Sequence, residues 1–326
     1  MELLYNPSEN NTMGEMDDVR GYITGLALDE GFTAVGFSRS EYLEKDEHYL
    51  QDWLLKGSHG AMSYLERNLD LRTDPSILNP GTRTVISLIY NYNQDNPTRD
   101  KSLKISTYAL GRDYHKVIRK KLKNISRKIL ENVAPEANIR YFTDSGPVLE
   151  KEWARRAGLG WIGKNTLLIH PKRGSYFFLA EILIDLDIAV DDTLAIRDHC
   201  GTCTRCIEAC PTDAISPDGY KLDASRCISY LTIELKDEAL PDEFKGKMED
   251  WVFGCDICQQ VCPWNKFSTP TREADFTPVS GIAEIMPEDW QQMTPERFES
   301  IFFQSPIKRT GLEGMKRNVQ FVREEH

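Results

Sequence analysis

Cys200-Gly-Thr-Cys203-Thr-Arg-Cys206-Ile-Glu-Ala-Cys210-Pro211 is the stretch that decides how this chain is built. Three cysteines two residues apart, then Cys-Pro after three more, is the bacterial ferredoxin spacing for a cubane iron–sulfur cluster. A second group, Cys255-Asp-Ile-Cys258-Gln-Gln-Val-Cys262-Pro263, follows, with Cys227 detached ahead of it. In two-cluster ferredoxins the thiolate of the Cys-Pro turn reaches across to the other cluster. Crossing the fourth ligands gives Cys200, Cys203, Cys206 and Cys262 for one [4Fe-4S] cluster. Cys210, Cys227, Cys255 and Cys258 then hold the other, and no thiol is left over. Structural zinc usually takes separated C-x2-C pairs, and disulfides are rare in a reducing cytosol, so both suit the spacing less well. Two adjacent clusters make an electron relay. Residues 196–270 therefore read as a ferredoxin-like module that serves chemistry elsewhere.

At ~150 residues per domain, 326 residues suggest about two domains. Apolar types make up 40% and charged types 28%, which excludes wholesale disorder. No apolar run approaches the ~18 residues of a membrane helix. The acidic N-terminus (Glu2, Glu9, Glu15, Asp17, Asp18) is unlike a signal peptide, so a cytoplasmic protein with no membrane partner is expected. Upstream of the cysteines, helical periodicity at 17–30, 46–56, 114–131 and 148–157 interleaves with strand patterns at 33–38, 85–90, 139–143 and 176–188. That is a mixed α/β or α+β domain. Gly158-Leu-Gly160-Trp-Ile-Gly163 matches the dinucleotide fingerprint, but a helix precedes it and a strand pattern follows. The context is reversed, which argues against NAD or FAD.

The net charge of −11 is unevenly spread: residues 101–180 carry a net +11 and residues 181–326 a net −13. A basic block in an acidic chain suits a docked nucleic-acid partner better than bulk polyanion binding. From Lys116 to Lys128 there are seven Lys/Arg and no acid, while Tyr114, Val117, Ile118, Leu122, Ile125 and Ile129 form an apolar stripe. The bland alternative is a solvated helix face. Asp144 ends a strand beside a Gly-Pro turn. Desolvated, its carboxyl would keep a proton and serve as a general acid; the alternative is an Asx turn or cap for the next helix.

Seven stretches, in order, carry a resemblance. They are His59-Gly-Ala-Met-Ser-Tyr-Leu-Glu-Arg67, Tyr108-Ala-Leu-Gly-Arg-Asp-Tyr-His115, Tyr141-Phe-Thr-Asp-Ser-Gly-Pro147 and Ala157-Gly-Leu-Gly-Trp-Ile-Gly-Lys-Asn-Thr166. Gly201-Thr-Cys-Thr-Arg-Cys206, Gly254-Cys-Asp-Ile-Cys-Gln-Gln-Val-Cys-Pro-Trp-Asn265 and Ser305-Pro-Ile-Lys-Arg-Thr-Gly311 complete the set. From about residue 15 onward the chain resembles the cobalamin-dependent tRNA epoxyqueuosine reductases.

The resemblance implies an α+β fold in three parts. These are a nitroreductase-like cobalamin- and substrate-binding domain (1–195), the two-cluster module (196–270) and a short helical C-terminal segment (271–326). It implies reduction of epoxyqueuosine to queuosine at the tRNA wobble position, the last step of queuosine biosynthesis. Electrons would pass from a low-potential donor of flavodoxin or ferredoxin type through the clusters to base-off cobalamin, as in the similar reductive dehalogenases. Asp144 matches the family's proton donor, and Tyr114 and His115 line the substrate side. Arg67, Tyr108, Asp144, Asn165, Leu168, Ser229 and Asp256 are the implied cobalamin contacts. No Asp-x-His-x-x-Gly lower-ligand motif occurs, since Ile118 stands where Asp113-Tyr-His115 would need glycine. For tRNA, the candidates are Lys116, Arg119, Lys120, Lys123, Lys308, Arg309, Lys316 and Arg317. Many members carry a C-terminal helical-repeat domain; ending at His326, the chain is expected to lack it and to act as a monomer. Two other readings stay open: a small-molecule reductase of dehalogenase type, and an iron–sulfur electron carrier.

Overall fold

The computed structural model describes residues 8–101, 103–190, 196–236 and 239–324. Its strands are β1 (Ala34–Arg39), β2 (Thr84–Asn91), β3 (Lys104–Ile105), β4 (Ile139–Phe142), β5 (Trp161–Ile162), β6 (Leu168–Ile169), β7 (Phe177–Ile184) and β8 (Trp251–Phe253). Four of them form a sheet in the order β1-β2-β7-β4, with every neighbour antiparallel. The central pair runs from Thr84↔Ile184 to Asn91↔Phe177.

Strands with both faces covered must be apolar nearly throughout, and β2 is buried from Thr84 to Tyr90. On one face Ile86, Leu88, Phe178 and Ile182 pack against Ile23 and Ala27 of the Ser8–Asp29 helix and Ile118, Leu122 and Ile125 of the Tyr114–Asn132 helix. On the other, Val85 and Leu183 meet Trp153, while Ile89 meets Ala154, both from the Glu150–Arg156 helix. Gly36 of β1 is required there, because a Cβ would lie 2.2 Å from the Ala157 carbonyl oxygen.

The Tyr114–Asn132 helix follows the sequence pattern. Asp113 caps it by accepting the His115 N–H at 3.1 Å, and the apolar stripe from Tyr114 to Ile129 is buried. Lys116, Arg119, Lys120 and Lys123 face solvent. The first helix begins at Ser8, earlier than its periodicity shows, because Ser8–Asp18 carries almost no apolar residues. The glycine-rich stretch runs from the end of the Glu150–Arg156 helix into the β5–β6 hairpin and includes β5 itself. There a Cβ on Gly160 would sit 2.3 Å from the Ile169 carbonyl oxygen, so that glycine serves close packing.

The cores do not follow the boundaries read at 195 and 270, the first of which lies outside the described residues. A second core joins Leu103, Ile105 and Leu110 to Ile228, Trp251 and Phe253, and both to Trp290, Phe302, Met315 and Val319. β3 pairs in parallel with β8. Asn318, fully buried, donates to the Thr232 carbonyl (2.8 Å) and the Val252 carbonyl (2.9 Å). Cysteine loops offer little apolar surface of their own, so residues 103–110 and 282–322 supply a core for the cluster module. Among the described residues, no helix is long and apolar enough to cross a membrane.

Candidate active site

Two adjoining hollows open between the sheet and the cysteine module. The first, about 370 Å³, is walled by Asn165, Leu168 and Leu179 on the sheet side and by Cys210, Cys227 and Cys258 on the other. The second, about 630 Å³, holds Tyr114, His115, Asp144 and Arg309. Tyr108, Leu222, Cys227 and Ser229 line both, so the two form one cleft.

Each functional side chain of the second hollow has a local cause. Tyr114 and His115 open the helix that Asp113 caps, and Tyr114 is stacked on Phe178 of β7 with ring centroids 4.0 Å apart. Asp144 follows β4 in a left-handed turn, φ 57°. It is not the cap of the following helix, whose cap position is Leu149. The Tyr114 hydroxyl donates to Asp144 Oδ2 at 2.6 Å, and His115 Nε2 lies 3.0 Å from the same oxygen. His115 Nδ1 is 2.8 Å from Asp113 Oδ1, so the ring bridges two carboxylates.

This geometry corrects one expectation. Burial pushes the Asp144 carboxyl up, but the hydrogen bonds from His115 and Tyr114 and the charges of His115 and Arg309 outweigh it and hold the group below its usual range. The proton sits on His115 instead. Burial disfavours its charge, yet the bonds to Asp113 and Asp144 raise it to about 9. Tyr114 is pushed well up, by burial and then by Asp144, and stays a phenol. An imidazolium–carboxylate pair at the wall of a cleft can deliver a proton through the carboxylate.

The eight cysteines are free thiols, each partly buried, and several lie close enough to act on one another. Burial first, and then the nearby Cys200, Cys262 and Cys203, push the Cys206 thiol up to about 11. Burial likewise raises Cys258, with Cys227, Cys206 and Cys210 adding to the effect, and Cys255, beside Cys258 and Cys227. Cys227 stands at the N-cap of the Ile228–Ile233 helix, where the Ser229 and Tyr230 N–H groups oppose the effect of its burial. Such N–H groups favour thiolate. Among the described residues, no three His, Cys, Asp or Glu side chains converge closely enough for a single metal ion. Ligands that surround a four-iron cube stand farther apart than that.

A family model described as a 4Fe-4S double cluster binding domain matches residues 199–265, which include all eight cysteines. A second, described as epoxyqueuosine reductase QueG, DUF1730, matches residues 72–145. The epoxyqueuosine reductase of Leadbetterella byssophila is 48% identical over 309 residues, 95% of this chain and 100% of that protein. The chain belongs to the epoxyqueuosine reductase family. The Escherichia coli epoxyqueuosine reductase is 41% identical over 311 residues, 94% of this chain and 80% of that one. A crystal structure of an epoxyqueuosine reductase with an epoxyqueuosine-modified tRNA-Tyr stem loop superposes with TM-score 0.82 at 27% identity, covering 94% of this chain and 81% of that one. As a family member the chain is an oxidoreductase with a double [4Fe-4S] domain.

Against that family, the remaining sequence candidates fall in several places. Tyr108, Asn165, Leu168 and Ser229 line the cleft. Arg67 is exposed and lines neither hollow. Asp256 is buried behind the wall, accepting from the Thr107 N–H (2.8 Å), Thr107 Oγ1 (2.7 Å) and Ser106 Oγ. Lys308 pairs with Glu299 at 2.5 Å and Arg309 with Glu234 at 2.7 Å, while Lys316 lies 4.0 Å from Glu313. Arg317 corrects its assignment, because it donates to the Leu235 carbonyl (2.9 Å) and the Leu231 carbonyl (3.2 Å) and so braces the second core. Sequence reading also missed Glu150, whose carboxyl oxygen accepts the Asp144 N–H at 2.5 Å, and Glu181. The available signal was an acid in the otherwise apolar strand Phe177–Ile184.

Proposed function

We propose that this protein reduces epoxyqueuosine to queuosine at the wobble position of tRNA, with Asp144 delivering a proton held in its contact with His115. The observation that carries the reading is the Tyr114–Asp144–His115 cluster facing the cysteine module across one cleft, in a member of the epoxyqueuosine reductase family. The net reaction breaks both C–O bonds of the epoxide, forms a carbon–carbon double bond, and takes two electrons and two protons to release water. A proton supplied at the oxygen spares it full negative charge as it leaves.

The cleft suits cobalamin in its chemistry. Its sheet side is apolar at Leu168, Phe177 and Leu179, and Asn165 Nδ2 is buried there with no hydrogen-bond partner among the described residues, a free donor for a corrin amide. Tyr108, Asn165, Leu168, Ser229 and Asp144 would hold the ring, with Asp256 fixing Ser106 behind it. Arg67 lines neither hollow and is left out of the ring's contacts. When bound, cobalamin supplies a low-potential cobalt centre for the reduction, and two [4Fe-4S] clusters on the crossed cysteine quartets supply electrons from a flavodoxin- or ferredoxin-type donor.

The residues around them have plainer tasks. Tyr114 and His115 aim Asp144 at the substrate. Lys116, Arg119, Lys120 and Lys123 offer an exposed basic face beside the cleft to tRNA phosphates, which Lys308 and Arg309 extend at the rim. The related enzyme with a modified tRNA stem loop supports this partner. In this reading residues up to 195 are the nitroreductase-like unit, 196–270 the relay and 271–326 its buttress, in a cytoplasmic monomer.

The test is nucleoside mass analysis of epoxyqueuosine-containing tRNA incubated anaerobically with the protein, cobalamin and a strong reductant. Loss of one oxygen from the wobble nucleoside, dependent on cobalamin, supports the reading. An unchanged nucleoside, with clusters and cobalamin bound, overturns it.

A further inference from the structure

Below the Asp144 turn lies an acid pair that the reaction as described does not use. Glu181 sits in the middle of β7, opposite Ser87 of β2 and Phe142 of β4. It is fully buried, and neither of its carboxyl oxygens meets a hydrogen-bond donor of fixed position among the described residues. Ser87 Oγ opposite it is also buried with no hydrogen-bond partner among the described residues. Glu181 abuts Glu150, the first residue of the Glu150–Arg156 helix, and Glu150 reaches back to accept the Asp144 backbone N–H.

We propose that Glu150 and Glu181 form a proton-holding pair that clamps the 143–147 turn and so sets the contact of Asp144 with His115 and Tyr114. The inference rests on the reading of Asp144 as the proton-delivering group. Two ionised carboxylates cannot stay in contact in an apolar layer, so the pair keeps a proton. Burial pushes both groups up: Asp144 adds to the effect on Glu150, which the hydrogen bond with Glu181 opposes, while Glu150 adds to the effect on Glu181.

The other titratable groups facing the pair are few. Asp144 comes from the turn, Tyr114 and His115 from the Tyr114–Asn132 helix, and Lys151 from the next helical position. Lys151 is turned onto the Thr166 carbonyl at 2.8 Å, and Arg140 of β4 onto the Leu78 carbonyl at 2.6 Å. Lys151 still feels the Glu150 charge, and Arg140 is committed to its carbonyl. A neutral Glu150 can accept the Asp144 N–H without repelling the Asp144 carboxylate three bonds farther on. That bond helps hold a non-glycine residue at φ 57°, a conformation that needs external support.

The experiment compares Glu150→Gln, Glu181→Gln, Glu150→Ala and Glu150→Asp in the holoenzyme. Its readouts are the His115 ring titration by NMR, which needs no substrate, and kcat and KM on epoxyqueuosine tRNA. The amides imitate the neutral acids, so both Gln variants should keep the His115 midpoint and hold kcat within about threefold of wild type. Glu150→Ala should lower the midpoint by about one pH unit and kcat by about tenfold or more, with KM unchanged. Should that variant not fold, Glu150→Asp, one methylene short of the Asp144 N–H, carries the same expectation. An unmoved midpoint in the shortened variants, or Gln variants as impaired as Ala, overturns the clamp. Failure of the functional reading looks different, because the wild type would then titrate as expected yet leave the nucleoside unreduced.

Discussion

The sheet and the cluster module are held by different means. The sheet's faces are filled by two long helices on one side and the Glu150–Arg156 helix on the other, a layering set by strands that are apolar nearly throughout. The module has short helices and loops around its cysteines, and its core draws on residues from both sides in sequence. One region is stabilised by burial; the other also depends on ligands to eight thiols, and metal-binding free energy there is folding free energy. The sharpest break in the comparison is therefore loss of iron. Cys227→Ser should remove about half of the iron, one four-iron cluster of two. Hydrogen exchange should then accelerate around 200–227 and 255–262 while β2 and β7 stay protected. Full iron content would overturn the crossed ligand sets, and loosening of β2 would erase the distinction between the regions.

The active site spans both regions, and its proton belongs to the sheet side. Asp144→Asn keeps the shape but removes the carboxylate that pairs with His115, so turnover should fall by about 10²-fold or more while iron and cobalamin contents hold. The pH dependence follows from His115. A group raised from about 6.5 in the unfolded chain to about 9 stabilises the fold fully below the lower value, and that contribution is lost as pH rises through the higher one. Turnover should likewise hold up to about pH 9 and decline above it. In Asp144→Asn the decline should begin nearer neutrality, because His115 keeps only Asp113 as its acidic partner. Residual activity with an unmoved profile would assign the proton to another group.

How much of this could be read in advance depends on the range of the signal. Cysteine spacing and the Tyr114–Ile129 stripe are local, so the clusters and the helix were legible from the chain alone. The cleft's reaction was legible only through resemblance, since nothing in the spacing of Tyr108 and Ser229 brings them together. Three features needed three dimensions. Asp144 loses its proton because two donors from another element reach it. Arg317 turns inward to the Leu235 and Leu231 carbonyls near the end of the Ile228–Ile233 helix, partners 82 and 86 positions away in the chain. Residues 282–322 belong to the module's core because cysteine loops cannot make one. Even so, an acid within Phe177–Ile184 was a visible anomaly, and Glu181 was passed over.

Stability measurements can refine the contrast. In the module, Asn318→Leu leaves the Thr232 and Val252 carbonyls without their donor, which should cost about 2–3 kcal/mol by chemical denaturation. In the sheet layer, Ile125→Val removes one methylene from a well-filled face and should cost about 1 kcal/mol. Equal losses would mean that the second core rests on burial as the first does. A larger loss for Asn318 fits a region in which polar side chains stand in for missing strands and helices.

The smallest effect separates two lysines on one helix. Lys120 is exposed, whereas Lys121 is 2.9 Å from Glu273 and lies over the Tyr90 ring, 5.1 Å from its centroid. Adjacent positions on a helix point about 100° apart, so one can serve solvent and phosphate while its neighbour ties the helix to the 271–276 segment. Lys120→Ala should weaken tRNA binding several-fold and reduce the salt dependence by about one counterion, because a lost phosphate contact releases one ion fewer. Lys121→Ala should leave the salt slope unchanged and lower stability by a fraction of a kcal/mol to about 1 kcal/mol, the range of a partly exposed ion pair with a cation–π contact. If both variants changed the slope alike, tRNA would reach around the helix and displace Glu273. If neither did, the basic face would be a solvated surface and the phosphates would be held elsewhere on the rim.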